Sequence, residues 1–252
     1  MTTRGHHGLL LNYQSPGDPD WANVIALLPM TGDNNATTFI DLTGRGWSAQ
    51  GNAKISTAQS KFGGGAGVFD GSGDYVDTPD SNDWDFGAGM FTIEAFVRFN
   101  TAATNSTVLS QWGTTAGTAA WAFYLDTGIL YFRFYDTGAV LRDTSVAWAP
   151  AANTWYHLCA ERNASGVVRV YVNGVVVATQ TRGQTMRTST ALPRFGAVQG
   201  FSTFDLNGYA GWLRVTKGVA RYNGAFTPPS EPYPAGPPSA PILYGLAGLV
   251  DS

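Results

Sequence analysis

The sequence is poor in cysteine, glutamate, histidine and charge. Among 252 residues there is one cysteine, Cys159, three glutamates (Glu94, Glu161 and Glu231), three histidines and only 13% charged residues. A lone cysteine excludes an intrachain disulfide, and its place inside an apolar strand pattern marks it as a buried, inert thiol. The net charge of −3 comes without any cluster of Lys or Arg, which excludes the basic footprint of a nucleic-acid binder. No apolar run is long enough to span a bilayer, and no charged segment leads into a short apolar one at the N-terminus. Neither membrane insertion nor Sec-type export is therefore expected. The shortage of Glu and Lys also argues against a helix-rich fold.

What is abundant is glycine, at 31 residues, and aromatic side chains, at 13%. This composition suits many short strands joined by tight turns, and 252 residues are enough for one large β-sandwich. The clearest stretch is 154–181, TWYHLCAERNASGVVRVYVNGVVVATQT, which reads as three antiparallel strands separated by turns at 163–166 and at Asn173-Gly174. Strand alternation places Val168, Val170 and Val172 in a core and turns Arg169, Tyr171 and Asn173 toward solvent. In FTIEAFVRFN, residues 91–100, Phe91, Ile93, Ala95, Val97 and Phe99 form an inner face. Thr92, Glu94, Phe96, Arg98 and Asn100 form an outer one that is partly covered. Further strands are expected over 21–30, 106–112, 119–125, 129–135, 194–198 and 208–216, with a glycine-interrupted strand pair over 66–76 and hairpin turns at 126–128 and 136–138. The predicted architecture is all-β: two antiparallel sheets face to face, a jelly-roll sandwich, with no long helix.

Turn formers and prolines bracket this body. Residues 1–20 read as an N-terminal arm, 21–233 as the domain, and 234–252 as a proline-rich linker ending in an apolar tail. Leu9, Leu10, Leu11 and Tyr13 at one end, and Ile242, Leu243, Tyr244, Leu246 and Leu249 at the other, are candidates for docking on partner chains. The adjacent His6 and His7 are poorly arranged to chelate one metal ion from a strand.

Several motifs occur in order: KFGG at 61–64, VFDGSGDYV at 68–76, FTIEAFVR at 91–98, VLSQWG at 108–113 and TWYH at 154–157. Together they resemble the LamG-like, concanavalin A-like jelly rolls, over about residues 20–234. The closing WLRVTKGVARYNGAFTPP, 212–229, looks most like the modules of bacteriophage structural and tail proteins. Some relatives in this superfamily are retaining glucanases with paired acids in the pattern Glu-x-Asp-x-x-Glu, since retention needs two carboxyl groups about 5 Å apart. The corresponding strand here offers only Glu94, so no catalytic pair is expected. Glu94 and Glu161 are instead read as solvent-face residues or as partners of Arg98 and Arg162. His157 lies in a strand, and no G-x-S-x-G elbow accompanies it.

The resemblance implies a non-enzymatic virion protein, a tail, fibre or capsid-decoration component that docks on other virion subunits as a homo-oligomer. The alternative is a lectin-like module for host cell-surface glycans, with Trp112, Trp121, Tyr135 and Trp148 offering flat faces to sugar rings or else packing in the core. No organic cofactor is implied. Calcium is the one metal the family suggests, with Asp70, Asp74 and Asp77 as candidate ligands or, equally, as turn-capping residues.

Overall fold

The computed structural model describes residues 17–102, 105–115 and 117–238. The docking candidates at both ends lie outside the described residues. Two antiparallel sheets pack face to face. The eight-stranded sheet runs, in spatial order, Val175–Thr181, Val167–Val172, Trp155–Arg162, Phe91–Phe99, Asn207–Lys217, Ala66–Asp70 and Lys54–Ser56, with Val24–Leu28 pairing on Asn207–Lys217. The seven-stranded sheet runs Leu141–Ala147, Ile129–Tyr135, Ala119–Asp126, Asn105–Trp112, Arg194–Phe195, Tyr75–Asp77 and Ser48–Gln50. Helix among the described residues is confined to three 3-10 turns. This is the predicted jelly-roll sandwich.

The period-two pattern explains the core. Val168 and Val170 are fully buried, as are Phe91, Ile93, Ala95 and Val97. They face Trp121, Phe123, Leu130, Phe132 and Phe134 of the other sheet, and the rings of Phe91 and Phe132 meet across it at 5.0 Å. Each such side chain contributes about 1.5–3 kcal/mol of burial. Asn173 and Gly174 take φ values of 49° and 77°, and Thr127 and Gly128 take 48° and 77°, the positive pairs that tight hairpins require.

Three strands are not legible in the sequence: Ser48–Gln50, Lys54–Ser56 and Leu141–Ala147. The first two are too short to show a period. Leu141–Ala147 is an edge strand bearing Asp143 and Ser145 on its outer side, so its apolar alternation is weak. Conversely, the strand expected over 194–198 ends at Phe195 because Gly196 adopts φ 93°.

The outer face of the eight-stranded sheet corrects the sequence reading. Tyr171 and Glu94 are wholly buried there. The chain beyond Lys217 crosses this face and places Tyr222, Phe226 and Tyr233 on it, with Tyr222 and Phe226 stacked at 3.4 Å. The Asn173-Gly174 turn has a second use in this docking. The Phe226 amide donates to the Gly174 carbonyl at 2.9 Å, and a Cβ at Gly174 would overlap the Phe226 carbonyl.

Beneath this strap lies a charge network. Glu94 accepts from Arg214 Nε at 2.8 Å and from the Tyr222 hydroxyl at 2.6 Å, and its carboxylate is 3.0 Å from His157 Nε2. Arg214 and Arg221 both reach Asp18 Oδ2 at 2.9 Å, and Tyr233 covers the Arg214 guanidinium at 4.1 Å. Asp18 is fully buried, and its amide donates to the Gly236 carbonyl at 2.9 Å. The segments read as arm and linker thus contribute Asp18 and Gly236 to the packed body.

The expected pairs Glu94–Arg98 and Glu161–Arg162 do not form. Glu94 and Arg98 stand four positions apart on one extended strand, about 13 Å. Arg162 alternates to the side opposite Glu161 and donates to the carbonyls of Gly87, Gly89 and Gln184; burial lowers its pKa to about 10. Glu161 accepts instead from the backbone amides of Tyr222 and Asn223 and from the Tyr171 hydroxyl.

Burial alone would raise the Glu94 pKa, but the Arg214 charge and the His157 and Tyr222 hydrogen bonds outweigh it and hold the carboxyl well below its ordinary 4.5. A depressed folded-state pKa contributes stability that is present above about pH 4.5 and is lost as pH falls toward the folded-state value. Glu94→Gln is expected to destabilise the domain by about 3 kcal/mol at pH 7. It should also flatten the fall in melting temperature below pH 4.5. Thermal melts across this range check both, and an unchanged acid limb in the variant would contradict the assignment.

Candidate functional site

The outer face of the seven-stranded sheet carries a different set of side chains. In Ala119–Asp126 and Ile129–Tyr135, alternation sends Trp121, Phe123, Leu130, Phe132 and Phe134 inward and Ala122, Tyr124, Tyr131, Arg133 and Tyr135 outward. The tight turn at Thr127-Gly128 fixes a register in which Tyr124 pairs with Tyr131, and their rings stack at 5.2 Å and 15°. On the neighbouring strand a register shift between Gln111 and Trp112 brings the Trp112 ring to 5.4 Å from Tyr135. A loop closed by the Val198–Phe201 bridge raises one wall, with Phe204 set edge-on to Tyr124 at 5.5 Å and Phe201 47% exposed. Trp112, Tyr124, Phe201 and Phe204 thereby line a hollow of about 180 Å³, with Arg133 and Asp126 as its charged groups.

The polar groups are held in place. Arg133 donates through Nε and Nη2 to the two oxygens of Asp143, at 2.7 and 2.8 Å, and its guanidinium lies 4.8 Å from the Tyr131 ring centre. The hydrogen bonds to Asp143 push its pKa up, so its charge is permanent. Burial raises the Tyr124 pKa, leaving a neutral hydroxyl able to donate and accept. Asp126 Oδ1 accepts from the Thr127 hydroxyl at 2.8 Å. Flat apolar faces beside a few fixed hydrogen-bonding groups form a surface suited to a small polar ligand with an apolar side.

A protein-family model described as the concanavalin A-like lectin/glucanases superfamily, Laminin_G_3, matches residues 70–219, more than half of the chain. The chain belongs to this family. No curated protein sequence matches it significantly. Among solved structures, this concanavalin A-like chain is similar to the binding domain of Paraclostridial Mosquitocidal Protein 1, with a TM-score of 0.61 and 13% identity over 79% of this chain and 50% of that one. It is similar also to the binding domain of Botulinum Neurotoxin DC in complex with SialylT (0.58, 15% identity, 79% and 49%). A third is the Botulinum Neurotoxin serotype G binding domain (0.59, 13%, 79% and 49%). The likeness is one of fold, and the chain spans about half the length of these structures.

Of the four aromatic residues singled out in the sequence, the concanavalin A-like fold brings Trp112 and Tyr135 together in this cluster. Trp121 is 1% exposed and donates from Nε1 to the Trp84 carbonyl in the core, because it falls on the inward phase of its strand. Trp148 lies apart, half-buried against Phe99 and Tyr156. Sequence reasoning missed Tyr124, Tyr131 and Arg133, although the turn at 126–128 and the alternation on either side together contained their pairing. Nothing local marks Phe201 or Phe204, which reach the sheet through a long loop.

The aspartates have structural partners. Asp70 Oδ1 accepts from the Ser72 amide at 2.8 Å; Asp74 braces the amides of Asp70 and Asn52; Asp77 accepts from Gln50 Nε2 at 3.4 Å. Among the described residues no three His, Cys, Asp or Glu side chains converge as a metal-ligand set. A wider groove of about 850 Å³ runs beside Asp70 and Asp74, but the indole of its one aromatic residue, Trp47, is tied to Asp41 at 2.8 Å. Glu94 and Glu161 are fully enclosed beneath the strap, on the sheet opposite the hollow. No helix of the described residues is long and apolar enough to cross a membrane.

Trp121 in the core and Trp112 at the hollow should lose stability to different extents on truncation. Trp121→Ala is expected to cost about 3–5 kcal/mol through its cavity, and Trp112→Ala about 1 kcal/mol. Chemical denaturation of the two variants checks this, and equal losses would contradict the placement of Trp121 in the core and Trp112 at the hollow.

Proposed function

We propose that the protein is a non-catalytic, lectin-like module that binds carbohydrate in the aromatic hollow on the outer face of its seven-stranded sheet, with host cell-surface glycans as the receptor class. The observation that carries this reading is the clustering of Trp112, Tyr124, Tyr135 and Phe201 on one sheet face, with Arg133 and Asp126 beside them. Sugar rings present a C–H face that packs on aromatic rings, and hydroxyls that need fixed donors and acceptors. Fold likeness to toxin binding domains, one of them solved with SialylT, supports the same class of ligand.

The phage-type pattern of 212–229 favours a second, compatible reading, in which this module is a virion component and docks as a homo-oligomer on other virion subunits. Residues that would mediate such docking, including Leu9 to Leu11 and Ile242 to Leu249, are outside the described residues. Neither reading assigns a metal to the site.

A glycan array followed by titration of the intrinsic tryptophan fluorescence tests the lectin reading. Trp112→Ala is expected to weaken binding at least tenfold, about 1.4 kcal/mol, while Trp148→Ala leaves it unchanged. Failure to bind any glycan, or equal effects of the two substitutions, would sink the proposal.

A further inference from the structure

Resting on the lectin reading, we infer that the hollow is built for an uncharged sugar unit and discriminates against acidic ones such as sialic or uronic acids. Arg133 is the cation among the residues that line it. Its side-on fork, the parallel Nε and Nη2 N–H groups, is already closed on Asp143 at 2.7 and 2.8 Å, so its charge is paired before any ligand arrives. The guanidinium is further fixed by the rings of Tyr131 and Tyr124, at 4.8 and 5.6 Å.

An entering carboxylate would therefore meet a cation already neutralised by Asp143 and, in the lining itself, the carboxylate of Asp126. Asp126 lines the hollow itself and has one oxygen, Oδ2, without a hydrogen-bond partner among the described residues. Arg187 lies over Tyr135 at 5.1 Å and is not among the lining residues. Like charges at short range in a half-enclosed site repel, and the ligand would lose hydration without gaining an ion pair.

Hydroxyl groups fit the same geometry. Arg133 Nη1 has no hydrogen-bond partner among the described residues and can donate to a sugar hydroxyl, Asp126 Oδ2 can accept from one, and the Tyr124 hydroxyl can do either. Trp112, Phe201 and Phe204 supply apolar faces for the ring. Pairing with Asp143 thus turns a recognition element for anions into a neutralised guanidinium whose remaining N–H groups suit alcohols.

The discriminating experiment compares neutral oligosaccharides with their sialylated and uronic-acid-terminated counterparts on the same core, using the full chain at physiological salt. Neutral forms are expected to bind at least tenfold more tightly. Asp143→Asn, which releases the Arg133 fork, is expected to narrow or reverse that preference, with a melt verifying that the variant is folded. Acidic glycans that bind wild-type protein as well as neutral ones, and lose binding in Trp112→Ala, would overturn the inference while leaving the lectin reading intact. Absence of binding to every glycan would overturn both. Retention of the neutral preference in a folded Asp143→Asn protein would show that the occupied fork is not its cause.

Discussion

The pairing of Glu94 with Arg214 decides which face of the sandwich is closed. A carboxylate with no exposure is costly to desolvate, and it persists here because a guanidinium, an imidazole and a tyrosine hydroxyl surround it. Those partners come from strands far apart in sequence and from the crossing C-terminal strap. Asp18 extends the same network to the chain entering the domain, so one buried cluster holds both flanking segments against the eight-stranded sheet. Removing Arg214 would leave the buried Glu94 carboxylate without its guanidinium partner.

This closure gives the molecule two unlike faces. The outer side of the eight-stranded sheet is occupied by the protein's own segments, with Phe96, Tyr233 and Leu27 forming a small second core there. The described ends meet on this side, where the Asp18 amide bonds the Gly236 carbonyl. On the opposite face Trp112, Tyr124 and Arg133 line a hollow that the described flanking residues leave uncovered. A ligand on that face would be presented away from the point where the chain enters and leaves.

The closing segment 212–229 has a clear internal role. Arg214, Arg221, Tyr222 and Phe226 bond to or stack on residues of their own domain. The packing of the strap on its own sheet accounts for these side chains, whichever partner the module serves. The segment's resemblance is therefore informative about fold before it is informative about context.

Local chemistry in the sequence was sufficient for the architecture. Strand alternation gave the valine row at 168–172 and the inner face of 91–99, and Asn173-Gly174 and Thr127-Gly128 gave the hairpins, because each depends only on near neighbours and on backbone sterics. The same alternation already held Tyr124 opposite Tyr131. Three things depended on the tertiary structure. Glu94 and Tyr171 looked solvent-facing because the segment that buries them lies at least 50 residues away along the chain. Trp121 looked like Trp112 until strand phase and the bulge after Gln111 sent one ring inward and the other to the surface. The hollow itself needed a wall from Phe201 and Phe204, whose distance along the chain from Tyr124 carries no periodic signal. Sequence fixes periodic local preference; which faces are covered, and which aromatic rings are left to meet a ligand, is decided when distant segments pack.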